Sequence, residues 1–157
     1  MIVYRLDREK RRQNVLTGIG AERMGGRWNL KGTKTVYTSQ SRALAMLEVL
    51  VHIDITDLPK DMILAEIHIP DSIEIVSLKK LPTNWDKFPY RFEVQKTFTA
   101  FCHKDEAAVL KVPSAIVEGE FNFLINPLHK DFKKIKTIRI EALNFDQRLN
   151  QYFVPSN

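Results

Sequence analysis

Glu48 is the only carboxylate between Glu22 and Asp54, and it stands in SRALAMLEVLVHI, where positions 43–47 and 49–51 are all apolar. Leu44, Leu47, Leu50 and Val51 recur at helical spacing, so this stretch reads as a helix that is apolar nearly all round and therefore buried. Glu48 shares a face with Leu44 and Val51. A carboxylate in that setting loses hydration and must be paired or hydrogen-bonded. Acids held this way stabilise developing positive charge or move protons, and so mark active sites. The plainer alternatives are a structural ion pair or a glutamate at the helix rim that reaches water. His52 follows by four residues and can meet Glu48 on one helix face, either to orient it or simply to pack at the rim.

A second feature lies upstream. The chain has six glycines, and five of them fall within GIGAERMGGRWNLKG at 18–32. Glycine adopts positive φ without strain and lets another group approach the backbone. A loop this rich in glycine is either a long surface turn or a shaped loop that closes on an anion through backbone N–H groups. Gly26 and Arg27 sit in its middle. The arginine offers a planar fork to phosphate or carboxylate. Tyr37, at the end of a short β-branched run, can stack on a flat ring or pack in the core. Ser114, in LKVPSAIV, can bond a ligand or satisfy nearby backbone.

Several chemistries are excluded. Ser114 lacks the Gly-x-Ser-x-Gly of a hydrolase elbow. The glycine loop lacks the Gly-Lys-Ser/Thr of a phosphate-binding NTPase loop, and nothing marks it as a dinucleotide-binding βαβ turn. The four histidines and one cysteine have no zinc-site spacing, so no metal is expected.

The elements that must position these residues follow from length and pattern. At 157 residues the chain is one domain, large enough to bury about two thirds of its surface. It has no run of about 18 apolar residues for a membrane span. Its N-terminus, MIVYRLDREKRRQ, has the opposite order to a signal peptide, and its single cysteine, Cys102, fits a reducing compartment, so a cytoplasmic protein is expected. Cys102 itself reads as a small core residue. The net charge is +5, with basic clusters at 5–12 and 130–139. These favour anionic partners or form solvated faces; neither has the interleaved aromatics of a single-strand binding groove.

Strands are expected at 1–6, 35–38, 63–69, 73–78, 107–112, 121–125 and 136–143. In the last, Ile138 and Ile140 share one face. Helices are expected from a Ser39 or Ser41 cap to about Ile53, and over 90–103. The tail is a short helix or a late-docking strand, and 7–33 is a polar loop. Strands outnumber helices and are irregularly interspersed, so the class is α+β with a mixed, mostly antiparallel sheet.

Five motifs taken in order resemble a known family: GGRWN at 25–29, VYTS at 36–39, ALAMLEVLVH at 43–52, VPSAIV at 112–117 and NFLINPLH at 122–129. Together they resemble the RES domain, from Tyr4-Arg5 to about Ile138. That family is named for an Arg, a Glu and a Ser, matched here by Arg27, Glu48 and Ser114. The resemblance implies a fold similar to ADP-ribosyltransferases and a toxin of a bacterial type II toxin–antitoxin pair that consumes NAD+. It implies Arg27 and Glu48 as catalytic, and Gly26, Tyr37, Ser114 and Asn126 on the substrate side. NAD+ is then a substrate rather than a cofactor, with water, inorganic phosphate or a protein as acceptor. The implied partner is an Xre-like helix-turn-helix antitoxin that covers the active site, often in a larger symmetric assembly with a toxin homodimer. Any nucleic-acid binding then belongs to the antitoxin. Around residues 84–106 the chain is Phe-rich and charged and carries no familiar motif.

Overall fold

A computed structural model describes residues 1–54, 57–146 and 148–151. Seven strands form one sheet: β1 (Ile2–Arg8), β2 (Val36–Ser39), β3 (Met62–His68), β4 (Ile75–Ser77), β5 (Val109–Pro113), β6 (Phe121–Ile125) and β7 (Lys136–Leu143). Their spatial order is β4-β5-β6-β2-β1-β3-β7; only β4 and β5 run parallel. The sheet is thus mixed and mostly antiparallel, as the sequence pattern implies. The helices are α1 (Ile19–Met24), α2 (Arg42–Leu50), α3 (Phe92–Lys104) and the short α4 (Arg148–Gln151). The polar segment 7–33 is more ordered than its composition suggests, since it holds a 3₁₀ turn at Glu9–Asn14 as well as α1. The end of the tail lies outside the described residues.

The alternation of side chains in each strand sorts the core onto two faces. Val3, Ile63, Ala65, Ile67, Phe123 and Ile125 pack together on one. Leu6, Met62 and Leu64 meet Ala45 of α2 on the other, while Leu110, Val112 and Leu124 meet Trp28 and the α3 residues Val94 and Phe98. Trp28 of the glycine loop and both long helices therefore share one face of the sheet.

The middle of the sheet is loosely zipped. β1 and β3 pair along seven registers, but β1 and β2 share only Tyr4 opposite Ser39. Beside that pair the guanidinium of Arg5 donates to Tyr37 O at 3.0 Å, so a side chain supplies a bond between the diverging strands.

Two expectations need correction. α2 is capped by Ser41, whose hydroxyl accepts from Leu44 N at 3.1 Å, but it is not buried all round. Only Leu44 and Ala45 are buried, and Leu47 and Val51 are 39% and 55% exposed. One face of the helix lies on the sheet and the other leaves apolar side chains at the surface. In β7, Ile138 is 54% exposed rather than buried with Ile140. The register slips there: Arg139 pairs with Glu66 but Thr137 pairs with Ile67, so Ile138 is the extra residue of a bulge.

α2 is tied down at its first turn. Arg42 donates to both Glu66 of β3 and Glu141 of β7 and lies over the Tyr4 ring. A cation at a helix N-terminus opposes the helix dipole, and the two carboxylates offset that.

Candidate active site

α2 presents Glu48 to the ends of two strands. Glu48 Oε1 accepts from Ser114 Oγ at 2.9 Å and from Asn122 Nδ2. Ser114 follows β5 and is 5% exposed; Asn122 lies in β6 and is 8% exposed. Each is fixed in turn. The Ser114 hydroxyl accepts from Ile116 N at 3.0 Å and Val117 N at 3.1 Å, so its one donor and both acceptor positions are used. Asn122 Oδ1 accepts from Ser39 Oγ at 2.7 Å. Two buried polar side chains thus hold one oxygen of Glu48, and Ser39 fixes one of them from behind. The other Glu48 oxygen, Oε2, has no partner among the described residues.

The glycine loop is built from inside. Asn29, fully buried, donates through Nδ2 to Ala21 O, Leu30 O and Thr33 O at 2.9–3.1 Å. Its Oδ1 accepts from Tyr37 Oη at 2.8 Å, and that hydroxyl accepts from Trp28 N at 3.1 Å. Gln95 of α3 donates to Gly26 O at 3.0 Å, and Phe98 N donates to Trp28 O at 2.9 Å. Gly26 is required by space: a Cβ there would stand 2.6 Å from Tyr37 Oη and 2.9 Å from Asn29 Oδ1. The Tyr37 hydroxyl is pushed well above its ordinary range, chiefly by burial, and it binds the loop rather than facing outward.

Arg27 leaves this loop toward the segment before α3. Its Nη1 donates to Trp85 O at 2.8 Å and Lys87 O at 3.0 Å, and its guanidinium lies 4.8 Å from the Tyr90 ring centroid. Trp85 stacks on Trp28, with centroids 5.8 Å apart. Tyr90 joins the two halves of the site. Its hydroxyl lies 3.5 Å from His52 Nε2. Its pKa is raised, first by burial, with Arg27 pulling it down and Glu48 pushing it up. Tyr90 thus lies against Arg27 on one side and near His52, four residues after Glu48, on the other. His52 is exposed at the rim.

Among the residues singled out by sequence, the structure brings together Glu48 and Ser114 by direct contact and Gly26 and Tyr37 through the loop, and it places Arg27 against Tyr90, whose hydroxyl lies near His52 at the end of the Glu48 helix. It does not bring in Asn126. That residue is 4% exposed at the opposite end of β6, about 13 Å along the strand from Asn122 at the usual rise. Its Oδ1 accepts from Leu128 N at 3.0 Å and its N–H donates to Ala108 O, so it forms the turn after the strand.

Sequence reasoning missed Asn122, Ser39 and Tyr90. Asn122 left a readable signal: a residue with poor strand propensity inside FNFLI, on the same parity as the core residue Leu124. Ser39 and Tyr90 left none.

Comparison with known proteins agrees with this architecture. The family model described as RES domain matches residues 2–146. The chain is 39% identical over 138 residues to the Prs ADP-ribosylating toxin of Sphingobium sp. (strain YBL2), covering 85% of this chain and 86% of that protein. It is 36% identical over 151 residues to Toxin Res of Yersinia enterocolitica, covering 95% and 99%, and 38% identical over 151 residues to Toxin Res of Photorhabdus laumondii, covering 95% and 97%. Its fold matches a chain of the crystal structure of the M. tuberculosis MbcT–MbcA toxin–antitoxin complex with a TM-score of 0.74, covering 90% of this chain and 83% of that one at 18% identity. The chain belongs to the RES domain family.

Proposed function

We propose that this protein is the toxin of a toxin–antitoxin pair and that it cleaves the bond between nicotinamide and ribose in NAD+. The observation that carries this reading is the Glu48 carboxylate, with one oxygen fixed by Ser114 and Asn122 and the other without a partner among the described residues. Cleavage of a glycosidic bond passes through an oxocarbenium-like transition state. A fixed carboxylate oxygen aimed at the reacting carbon stabilises that charge without reorganising. Ser114 and Asn122 act through Glu48 as positioning residues. The Tyr37 hydroxyl and the Asn29 amide fix the loop around Gly26 and Arg27, and in this reading backbone donors and the remaining guanidinium N–H groups face the substrate. The names of the relatives, Toxin Res among them, support the toxin role.

The acceptor is inorganic phosphate or water. A protein acceptor is the second reading, favoured by the name of the Sphingobium relative. The antitoxin is proposed to be of the Xre-like type and to cover the site; Leu47 and Val51 on α2 and Phe88 and Phe92 at and before the start of α3 are exposed apolar side chains it could cover. The fold match to a chain of the MbcT–MbcA toxin–antitoxin complex supports a partner of this general kind. The unpaired Cys102 is in keeping with a cytoplasmic setting.

One reaction tests this. Purified protein is given NAD+ with and without inorganic phosphate, and the products are separated. Nicotinamide with a phosphorylated ADP-ribose only when phosphate is present identifies a phosphorylase. Nicotinamide and free ADP-ribose in both tubes identify a hydrolase. Label transferred from NAD+ to a protein identifies an ADP-ribosyltransferase. Intact NAD+ from folded, antitoxin-free protein removes the reading.

A further inference from the structure

Arg27 stands where an anion ligand of the glycine loop is expected, yet its Nη1 donates to two backbone carbonyls. A different group of arginines surrounds a cavity of about 430 Å³ at the start of the glycine loop. Arg5, Asp7, Arg11, Asn14, Thr17 and Arg23 line it; Arg27, Tyr37, Glu48 and Ser114 do not. Asp7 is 6% exposed and organises the wall. Its Oδ2 accepts from Arg5 Nη2 at 2.8 Å and its Oδ1 accepts from Arg11 Nη1 at 3.0 Å. One buried carboxylate thereby holds two guanidinium groups at fixed positions. Arg23, across the cavity, has no hydrogen bond or ion pair among the described residues. Three cations therefore face one anion. The Arg5 Nε–H is also buried without a partner among the described residues, which is costly unless something else accepts from it.

We infer that this cavity is a phosphate-recognising site, with Arg11 and Arg23 as its ligands and Asp7 and Arg5 as the groups that shape it. Guanidinium suits phosphate because its planar fork gives two parallel N–H bonds to adjacent oxygens. Asp7 keeps the wall from collapsing and leaves the outer N–H groups of Arg11 free. The volume lies within the range of small-molecule sites, so a nucleotide-sized ligand fits as well as free phosphate. Arg5 ties the cavity wall to β2 by donating to Tyr37 O. The inference rests on the proposed function for its two natural sources of phosphate: the diphosphate of the dinucleotide, and the inorganic phosphate that would accept ADP-ribose.

The test is calorimetric titration of the full chain with ADP-ribose and, separately, with inorganic phosphate. The wild type is compared with Arg11→Gln/Arg23→Gln and with a control of equal charge loss at two exposed lysines, Lys79→Gln/Lys80→Gln. Thermal melts confirm that both variants fold. ADP-ribose binding weakened about 30-fold in the arginine variant only, the scale of two or so lost charge-assisted bonds, assigns the cavity to the diphosphate. Loss of phosphate binding with ADP-ribose unchanged assigns it to the free anion. Unchanged binding of both ligands in a folded arginine variant overturns the inference. So does a wild type that binds neither, or an equal loss in the lysine control. Because ADP-ribose is not consumed, the two readings fail separately. Arginine-dependent binding with no turnover of NAD+ removes the enzyme and leaves the cavity. Turnover with unaltered binding in the variant removes the cavity alone.

Discussion

The two charged residues at the centre of the site are held in opposite ways. Glu48 is fixed by side chains that are themselves buried on the sheet: Ser114, Asn122 and, behind it, Ser39. Arg27 is fixed by the carbonyls of Trp85 and Lys87, in a segment with no helix or strand where Phe88 is 76% exposed. The carboxylate is thus placed by rigid elements, and the guanidinium by one of the more easily deformed parts of the fold. Developing charge on the substrate needs a partner that does not move, whereas admission of a large substrate needs a wall that does. Under the proposed function, chemistry falls to the Glu48 side and capture to the Arg27 side.

The sharpest way to break it is Glu48→Gln. The amide oxygen can still accept from Ser114 and Asn122, so the fold should survive and only the charge is lost. Nicotinamide release should fall by about two to four orders of magnitude, the scale of one well-placed electrostatic group. Near-normal release from a folded variant would end the catalytic role of this side. Arg27→Lys probes the other side. A lysine cannot bridge both carbonyls and spread over Tyr90 as the planar guanidinium does. KM should rise several-fold while kcat stays within about threefold, and limited proteolysis should cut within 82–91 faster than in the wild type. A fall in kcat with KM unchanged would move Arg27 into the chemistry.

Gly26→Ala tests the frame between the two sides. Its Cβ would drive against the Tyr37 hydroxyl at 2.6 Å and the Asn29 amide oxygen at 2.9 Å. Overpacking of this kind costs about 1–3 kcal/mol. Tyr37→Phe removes the nearest of those atoms, so the double variant should be less destabilised than the sum of the singles by about 0.5 kcal/mol or more in urea unfolding. Strict additivity would mean that the loop relaxes without involving Tyr37.

How much of this was legible beforehand follows the same division. Patterning located the elements: β7 runs from Lys136 to Leu143 as its alternation implies, and Ser41 caps α2. Glu48 and Ser114, 66 residues apart, were both singled out, and they touch. Periodicity reports which face of an element is buried, however, and not what sits opposite it. Asn122 and Ser39 were therefore invisible as partners of Glu48, and α2 was read as more buried than it is because apolar residues on its outer face look the same in sequence. The bulge at Ile138 arises from pairing with β3, which β7 alone cannot encode. Tyr90 lies in a segment without regular structure, so no period existed to place it. Arg27 was read as an anion ligand from its residue type, and the two carbonyls it meets come from a segment 58–60 residues away.

The smallest expected effect concerns Cys102 on α3, the helix that closes over Trp28 from the rigid side. Its thiol is pushed up to about 12, first by burial and then by the nearby Asp105 carboxylate. The unfolded chain would ionise at about 8.5. The thiol is neutral when protonated, so between those values the unfolded state binds fewer protons than the native one. The contribution of Cys102 to stability is therefore complete below about pH 8.5 and is lost as pH rises toward 12. A thiol kept protonated reacts slowly, since the thiolate is the nucleophile. At pH 8, labelling by an aromatic disulfide should be at least about tenfold slower in the native protein than in denaturant. Arg27→Lys should leave that native rate unchanged, because it loosens the segment before α3 and not the cluster beneath it. A rate that rises in this variant would show the Trp28 cluster opening together with the segment, and the rigid and deformable sides would then be one unit.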